Sequence, residues 1–407
     1  SRGRLAFTLA LLFAINFLNF YDRQVLGAIG ESIKQEWHLS DSQLAGLTTA
    51  FVLLYAAIGI PLGRLADVSR RKVILSAGVV TWSAFTALSG LAGSFGALVA
   101  CRLGVGVGEA SAAPAGNSLL GDLFPPLQRS RAISVFMLGL PLGLGASYIV
   151  SGLITKATGG WRPALFVAAA PGLVVGVLAL LLPEPERGAV DPQLRDRAES
   201  QGEVIRAILR LPTMWWIIAS GALFNLTMYA LLTFNTSFLI RYHGLDIDIA
   251  NRFSGVIYGA GGGLGMLFGG WAGDRASRSG PGGRLRLAAL SLLVTAPLVL
   301  LALRQGRGGY WAYAGLMLAA SVLLYVYYST VYATIHDLTA PRARGTAMAV
   351  YFLVFYLFTA VGLLSFGRLS DTLANRALAA GASAADARAF GLHDALYVVP
   401  AISVVLV

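Results

Sequence analysis

Two loops of one pattern, half a chain apart, constrain the fold of this sequence more than any other feature. The first is Gly63-Arg-Leu65-Ala66-Asp67-Val-Ser-Arg70-Arg71-Lys72; the second is Gly270-Trp-Ala-Gly273-Asp274-Arg275-Ala-Ser-Arg278. Asp274 stands 207 residues after Asp67 in a chain of 407. Each loop closes a long apolar run with glycine, one aspartate and a basic residue four positions beyond it, which suits a tight turn between two membrane helices at the cytoplasmic surface. A second echo, Pro126-Leu-Gln-Arg-Ser-Arg131-Ala and Pro341-Arg-Ala-Arg344-Gly, lies at a similar separation. The chain therefore reads as one unit built twice: an all-α membrane protein of twelve transmembrane helices, in two six-helix halves related by pseudo-twofold symmetry. Gly63, Asp67, Arg71, Lys72, Asp274, Arg278, Arg131 and Arg344 are expected at a cytoplasmic gate.

Composition agrees with lipid as the solvent. Only 13% of residues are charged, against roughly a quarter in a soluble protein, while 56% are hydrophobic and the mean hydropathy is +0.69. The net charge of +11 would suit nucleic acid, but its distribution follows a membrane topology instead. With the amino terminus inside, nineteen Lys and Arg fall in cytoplasmic segments and ten on the opposite side, the bias that orients membrane proteins. A multi-pass protein of the cell membrane follows, the inner membrane if the source is bacterial, with its N-terminus cytoplasmic. It is expected to act as a monomer with no cofactor and no nucleic acid. Cys101 is the only cysteine, so neither an intramolecular disulfide nor a thiolate metal cluster can form. Arg2 and Arg4 before the apolar run Leu5 to Phe20 resemble a signal peptide, but no small-residue cleavage site follows and the run continues helically through Asp22.

Apolar runs place helices near 5–29, 43–66, 72–92, 95–121, 130–155, 161–183, 213–242, 250–273, 284–304, 309–336, 343–370 and 392–407; the last is barely long enough to span. Domains are expected at 1–183 and 213–407. The linker, 184–212, starts at Pro183-Glu-Pro185 and carries Val204, Ile205, Ile208 and Leu209 at helical spacing beside Arg206 and Arg210, the pattern of an amphipathic helix on the inner leaflet. The glycine-rich run 259–265 could pass for a phosphate loop, but it lies inside an apolar run with no Lys-Ser/Thr after it, so close helix packing is its role.

Four ionisable residues fall inside helices: Asp22 and Arg23 in the first, Arg102 and Glu109 in the fourth. Charges at that depth are costly unless paired or hydrated, which marks them as functional. Counted from the expected helix ends, Asp22 and Arg102 lie at matching depth, about 10 Å in, and Glu109 two turns deeper. An Asp22–Arg102 ion pair is expected, with Glu109 as the group that exchanges a proton for an ionic partner. The second half offers no charge at this depth. It offers Phe224, Asn225, Tyr229 and Asn235, then Tyr325, Tyr328 and Tyr356, as cavity residues suited to the tail of an amphipathic ligand.

The motifs Asn16-Phe-Leu-Asn19-Phe-Tyr-Asp22-Arg23, the Asp67 loop, Trp82-Ser83, Arg102-Leu-Gly-Val-Gly106-Val-Gly108-Glu109-Ala-Ser111 and Trp161-Arg162 resemble the Spinster family of the major facilitator superfamily. The resemblance implies alternating access, a sphingolipid- or lysophospholipid-like substrate, coupling to protons through the four buried charges, and a cavity that includes Asn16 and Asn19. The second loop lacks the Leu and the Arg-Lys pair of the first. A drug or small organic anion exchanger would use the same charges, and a passive channel or receptor is a more remote reading. An intramembrane hydrolase is disfavoured because the four histidines lie in loops or near helix ends. An ATP-driven pump would need a phosphate-binding loop that the chain lacks.

Overall fold

The computed structural model describes residues 2–124, 126–185, 201–280, 282–339 and 344–405. Among them every regular element is helical: α1 (Arg2–Trp37), α2 (Asp41–Val68), α3 (Arg71–Gly90), α4 (Phe95–Glu109), α5 (Ala112–Leu123), α6 (Pro126–Met137), α7 (Gly139–Thr158), α8 (Arg162–Leu178) and α9 (Gln201–Leu209), followed by α10 (Pro212–Arg241), α11 (Ile247–Gly255), α12 (Gly261–Ser277), α13 (Gly283–Leu303), α14 (Tyr310–Leu338), α15 (Arg344–Ala379), α16 (Ala384–Leu396) and α17 (Val398–Val405). Eleven helical stretches among the described residues are long and apolar enough to cross a membrane. The expected eighth spanning segment falls outside that number because a π turn at Val256–Ala260 divides it into α11 and α12. The 186–200 part of the linker, with Arg187, Arg195 and Arg197, lies outside the described residues.

Three spanning segments that read as continuous in sequence are broken, and proline chemistry explains each break. A proline ring inside a helix clashes with the carbonyl four residues earlier and offers no N–H to it. Pro114, Pro141 and Pro400 stand four residues after Ala110, Met137 and Leu396, where α4 gives way to α5, α6 to α7 and α16 to α17. Two other helices overrun their expected ends: α1 reaches Trp37 rather than 29, and α15 reaches Ala379 rather than 370. Glu31, Lys34 and Asp371 lie just past the expected ends, but each has a partner, so their charge does not halt the helix.

The chain divides into two compact units, Ser1–Ile29 with Ala50–Glu199 and Gly30–Thr49 with Ser200–Val407. In the first, α3 packs between α4 and α8. The approach is close: a Cβ on Gly108 would come within 2.6 Å of the Trp82 backbone nitrogen, so only glycine fits there. In the second, the glycine run of α12 packs on α14, with Gly265 against the Val322 carbonyl. The short α9 rests on α10 and α15, with Ile208 buried while Arg206 and Arg210 stay exposed.

Candidate functional site

The charged site is built on α1 and α4 in the first unit. Ser94 caps α4 by accepting a hydrogen bond from the Ala97 N–H, and Arg102 and Glu109, seven residues apart, share one face of that helix. The Arg23 Nε donates to Glu109 Oε2 at 2.9 Å, with the arginine side chain 8% exposed and the glutamate fully buried. Tyr55 lies under the Arg23 guanidinium, 4.3 Å from it to the ring centroid, a desolvated cation–π contact that orients the charge towards Glu109.

The expected Asp22–Arg102 ion pair does not form. Arg102 instead donates from Nη2 to the backbone carbonyl of Asp22 at 3.4 Å. The depth estimate failed because α1 continues to Trp37: Asp22 lies fifteen residues before that end, and Glu109 lies fourteen residues into α4. The Asp22–Arg23 pair is therefore level with Glu109 rather than with Arg102. Asp22 is 1% exposed, and its carboxylate faces Thr86 and Trp82 of α3. Ser83 Oγ on α3, Arg102 Nε and Nη1, and Glu109 Oε1 have no hydrogen-bond partner among the described residues. Buried polar atoms without partners are costly and concentrate at sites that change state. Trp82 entered the sequence reading only as part of a motif, and Thr86 not at all, since a neutral side chain inside an apolar run carries no signal of its own.

Of the expected gate residues, Asp67, Arg131 and Arg344 have side chains outside the described part of the structure, as are the surroundings of Gly63. Arg71 is not a free gate group. It is fully buried within the first unit, where its guanidinium ties α3 to Asp122 and Ser118 of α5 and to Glu184 and the Pro185 carbonyl after α8. The Lys72 backbone N–H donates to the same Glu184 at 3.0 Å. Partial burial pushes the Glu184 carboxyl up, but the Lys72 N–H and the Arg71 guanidinium outweigh it and hold the group below its ordinary value. In the second loop, Asp274 and Arg278 are exposed, and Arg284 bridges Asp274 at 3.3 Å and Asp337. Sequence reading counted Arg284 only towards the cytoplasmic charge bias and assigned no role to Asp337, 53 residues away.

Several expected cavity residues are taken up by packing, because α10 is the most buried of the spanning helices. Asn235 donates to Ser254 Oγ and accepts from the Tyr313 hydroxyl. Asn225 donates to Thr359, Phe224 stacks on Tyr327 at 4.2 Å, and Tyr325 lies against Gly262 and Gly265. Asn16, in the first unit, donates to the Phe136 carbonyl at 2.7 Å, and Asn19 is buried near it on the same helix. Tyr229, Tyr328 and Tyr356 remain half-buried, with Tyr328 against Tyr332 at 4.4 Å.

The chain matches the Major Facilitator Superfamily over residues 12–384. It is 31% identical to protein spinster homolog 1 of Homo sapiens over 399 residues, covering 92% of this chain and 74% of that protein. The chain belongs to the Spinster family of major facilitator transporters. Other members and neighbours agree. An MFS-type efflux pump of Mycolicibacterium smegmatis is 29% identical over 89% of this chain and 84% of its own length. A bacterial homologue of the human lysosomal transporter Spinster, solved in an inward-facing, unoccupied conformation, superposes with a TM-score of 0.88 at 26% identity, covering 100% of this chain and 96% of that one. The nucleoside transporter NupG, at 13% identity and a TM-score of 0.76 over 97% of this chain and 98% of that one, shares the fold. As a Spinster-type protein the chain is a multi-pass membrane transporter and not an enzyme.

Proposed function

We propose that this Spinster-type protein is a proton-coupled transporter of an amphipathic, lipid-like molecule of the sphingolipid or lysophospholipid class, working by alternating access. The observation that carries the coupling is the buried Arg23–Glu109 pair on the same two helices as a second buried carboxylate, Asp22. A proton on Glu109 replaces the ion pair with a weaker hydrogen bond from the Arg23 cation to a neutral carboxyl. The Arg23 charge, no longer neutralised by Glu109, then attracts an anionic head group, and deprotonation restores the pair. Asp22 is the second carboxylate of the relay, and Arg102 holds the α1 backbone in register with α4. The half-buried Tyr328, Tyr332 and Tyr356 supply surface for an apolar tail. The operating units are 1–183 and 213–407, joined by the 184–212 linker.

Flux of a labelled lysophospholipid into vesicles under an imposed pH gradient tests this reading. Accumulation that tracks the gradient is expected, and uptake indifferent to it would remove the coupling. Likeness to the mycobacterial efflux pump favours a second reading, export of drug-like amphiphiles, which the same vesicles separate by competition with a cationic or anionic dye.

The amino terminus, the linker and the loops after α2 and α12 are proposed to be cytoplasmic, on the 19 to 10 bias of basic residues. Single cysteines at Ser69 and Ser277, with Cys101 replaced, are expected to react with an impermeant thiol reagent only from the cytoplasmic side. Labelling from outside would invert the topology.

A further inference from the structure

Two histidines of the second unit, close together beyond the end of α10, have opposite surroundings. His243, two residues past that helix, is 7% exposed and boxed by Phe238, Tyr242 and Tyr313, whose ring centroids lie 5.3, 5.2 and 5.4 Å from its own. Neither of its ring nitrogens has a hydrogen-bond partner among the described residues. Burial, helped by the neighbouring His393, pushes its pKa down to about 4, so this ring stays neutral.

His393, on α16, has an acceptor at each nitrogen. Its Nδ1 lies 2.9 Å from Asp394 Oδ1, and its Nε2 lies 2.9 Å from the carbonyl of Leu303, the last residue of α13. A carboxylate and a carbonyl can only accept, and a neutral imidazole has a single N–H. Either neutral tautomer therefore sets a lone pair against an acceptor at one of the two contacts, and only the imidazolium donates at both. The rest of the setting favours the same form. Leu303 closes a helix, where unsatisfied carbonyls carry partial negative charge. Tyr242 lies parallel to the ring, 4.5 Å away between centroids and 5° between planes, and presents its π face to the cation. The His393 side chain is 13% exposed and that of Asp394 57%, so a proton reaches the pair from water.

The other groups around this ring leave the role to it. Tyr397, one turn further along α16, meets it edge-on at 5.2 Å, and Arg304 lies near that tyrosine. Arg307 reaches over Tyr242 at 5.9 Å but is paired with Asp386 of α16. His243, held neutral, adds no charge. α15 packs on α16 through Ala374 against Gly391, and none of its charged groups contacts His393 among the described residues. We propose that His393 is a proton-operated clamp: as the imidazolium it ties α16 to the end of α13, and as the neutral ring it gives up one of its two acceptors and lets α16 lift. This end of the second unit is firm when the compartment it faces is acidic and loosens when that compartment turns alkaline, whatever the state of Glu109.

A single cysteine in place of Ala389, buried one turn before His393 on α16, reports lifting of the helix through its rate of reaction with a small thiol reagent in detergent, with Cys101 changed to serine. Dividing by the rate in the same protein unfolded in SDS removes the direct effect of pH on the thiol. A proton held by the folded form gives protection that is present in acid and lost as pH rises. Across about pH 5 to 8, where histidine changes charge, parental labelling is expected to speed up roughly tenfold, the scale of one hydrogen bond to a charged group. His393→Gln should label fast throughout. Asp394→Asn supplies an amide that can donate to the neutral ring, so labelling there should stay slow at every pH, an outcome that loss of packing alone does not produce. The parental response should survive in Glu109→Gln, which keeps failure of the clamp separate from failure of the proposed function. A parental rate indifferent to pH, a pH response that persists in His393→Gln or Asp394→Asn, or one that vanishes in Glu109→Gln would overturn the clamp.

Discussion

Glutamine in place of Glu109 is expected to reduce proton-driven accumulation to background, a loss of about 100-fold or more, the scale on which a positioned proton-transferring group contributes. Glutamine keeps the shape of the side chain, so the Arg23 Nε can still donate to it across the 2.9 Å now spanned by the ion pair. What is lost is the choice between a charged and a neutral partner. A site locked neutral cannot exchange a proton for Arg23, so a gradient has nothing to act on. Counterflow, which needs the conformational cycle without net proton movement, should persist. Asp22→Asn is expected to give a similar or partial defect. Arg102→Ala should harm both activities, because it removes the contact to the Asp22 carbonyl and leaves two buried carboxylates with Arg23 alone. Full gradient-driven uptake by the Glu109→Gln protein would transfer the coupling role to Asp22.

Arg71→Ala is expected to be the most destabilising single change in the first unit. The guanidinium is fully buried and joins three pieces of chain, α3, α5 and the segment after α8, through Asp122, Ser118, Glu184 and the Pro185 carbonyl. Breaking a buried pair costs about 3 to 5 kcal/mol. Here the carboxylates are 18% and 23% exposed and can turn to water, so the low end of that range, about 3 kcal/mol, is expected. Lysine has one ammonium where the planar fork spans several acceptors, so Arg71→Lys should recover less than half of the loss. Thermal unfolding in detergent measures both variants. Because the Glu184 carboxyl is held below its ordinary value, its share of this stability is present above the unfolded-state carboxyl range and is lost as pH falls through the lower, folded value. The gap between wild type and Arg71→Ala should therefore narrow in acid. An unchanged unfolding midpoint in Arg71→Ala would mean that the cluster is incidental.

Legibility differed sharply between parts of the molecule. The two Asp loops marked the duplicated architecture because their pattern needs only local chemistry: glycine for close approach, an acid, and a base one helical turn later. The four buried charges were visible for a similar reason, since an ionised side chain in an apolar run stands out without knowledge of its neighbours. Arg71 was misread. A basic residue at the start of a helix looks the same in sequence whether it faces solvent or is buried under a segment 113 residues away. Thr86, Ser83 and the second-half asparagines also gave no reliable signal, because neutral polar side chains are compatible with a cavity and with a packed helix face alike.

Periodicity, charge and repetition by themselves determined that the chain is a twelve-segment helical membrane protein of duplicated design, with four ionisable residues inside its first and fourth segments. Those properties follow from the match between helix length and bilayer thickness and from the cost of charge in lipid, both of which act residue by residue. Tertiary structure alone decided the pairing. Arg23 pairs with Glu109 and the expected Asp22–Arg102 ion pair does not form, because α1 runs eight residues beyond its apolar stretch and resets every depth along it. That overrun is possible only because Arg241, 210 residues from Glu31, supplies the countercharge. A helix end set by a distant ion pair cannot be read from the sequence around it, since the energy that extends the helix is contributed by residues brought near only by the fold.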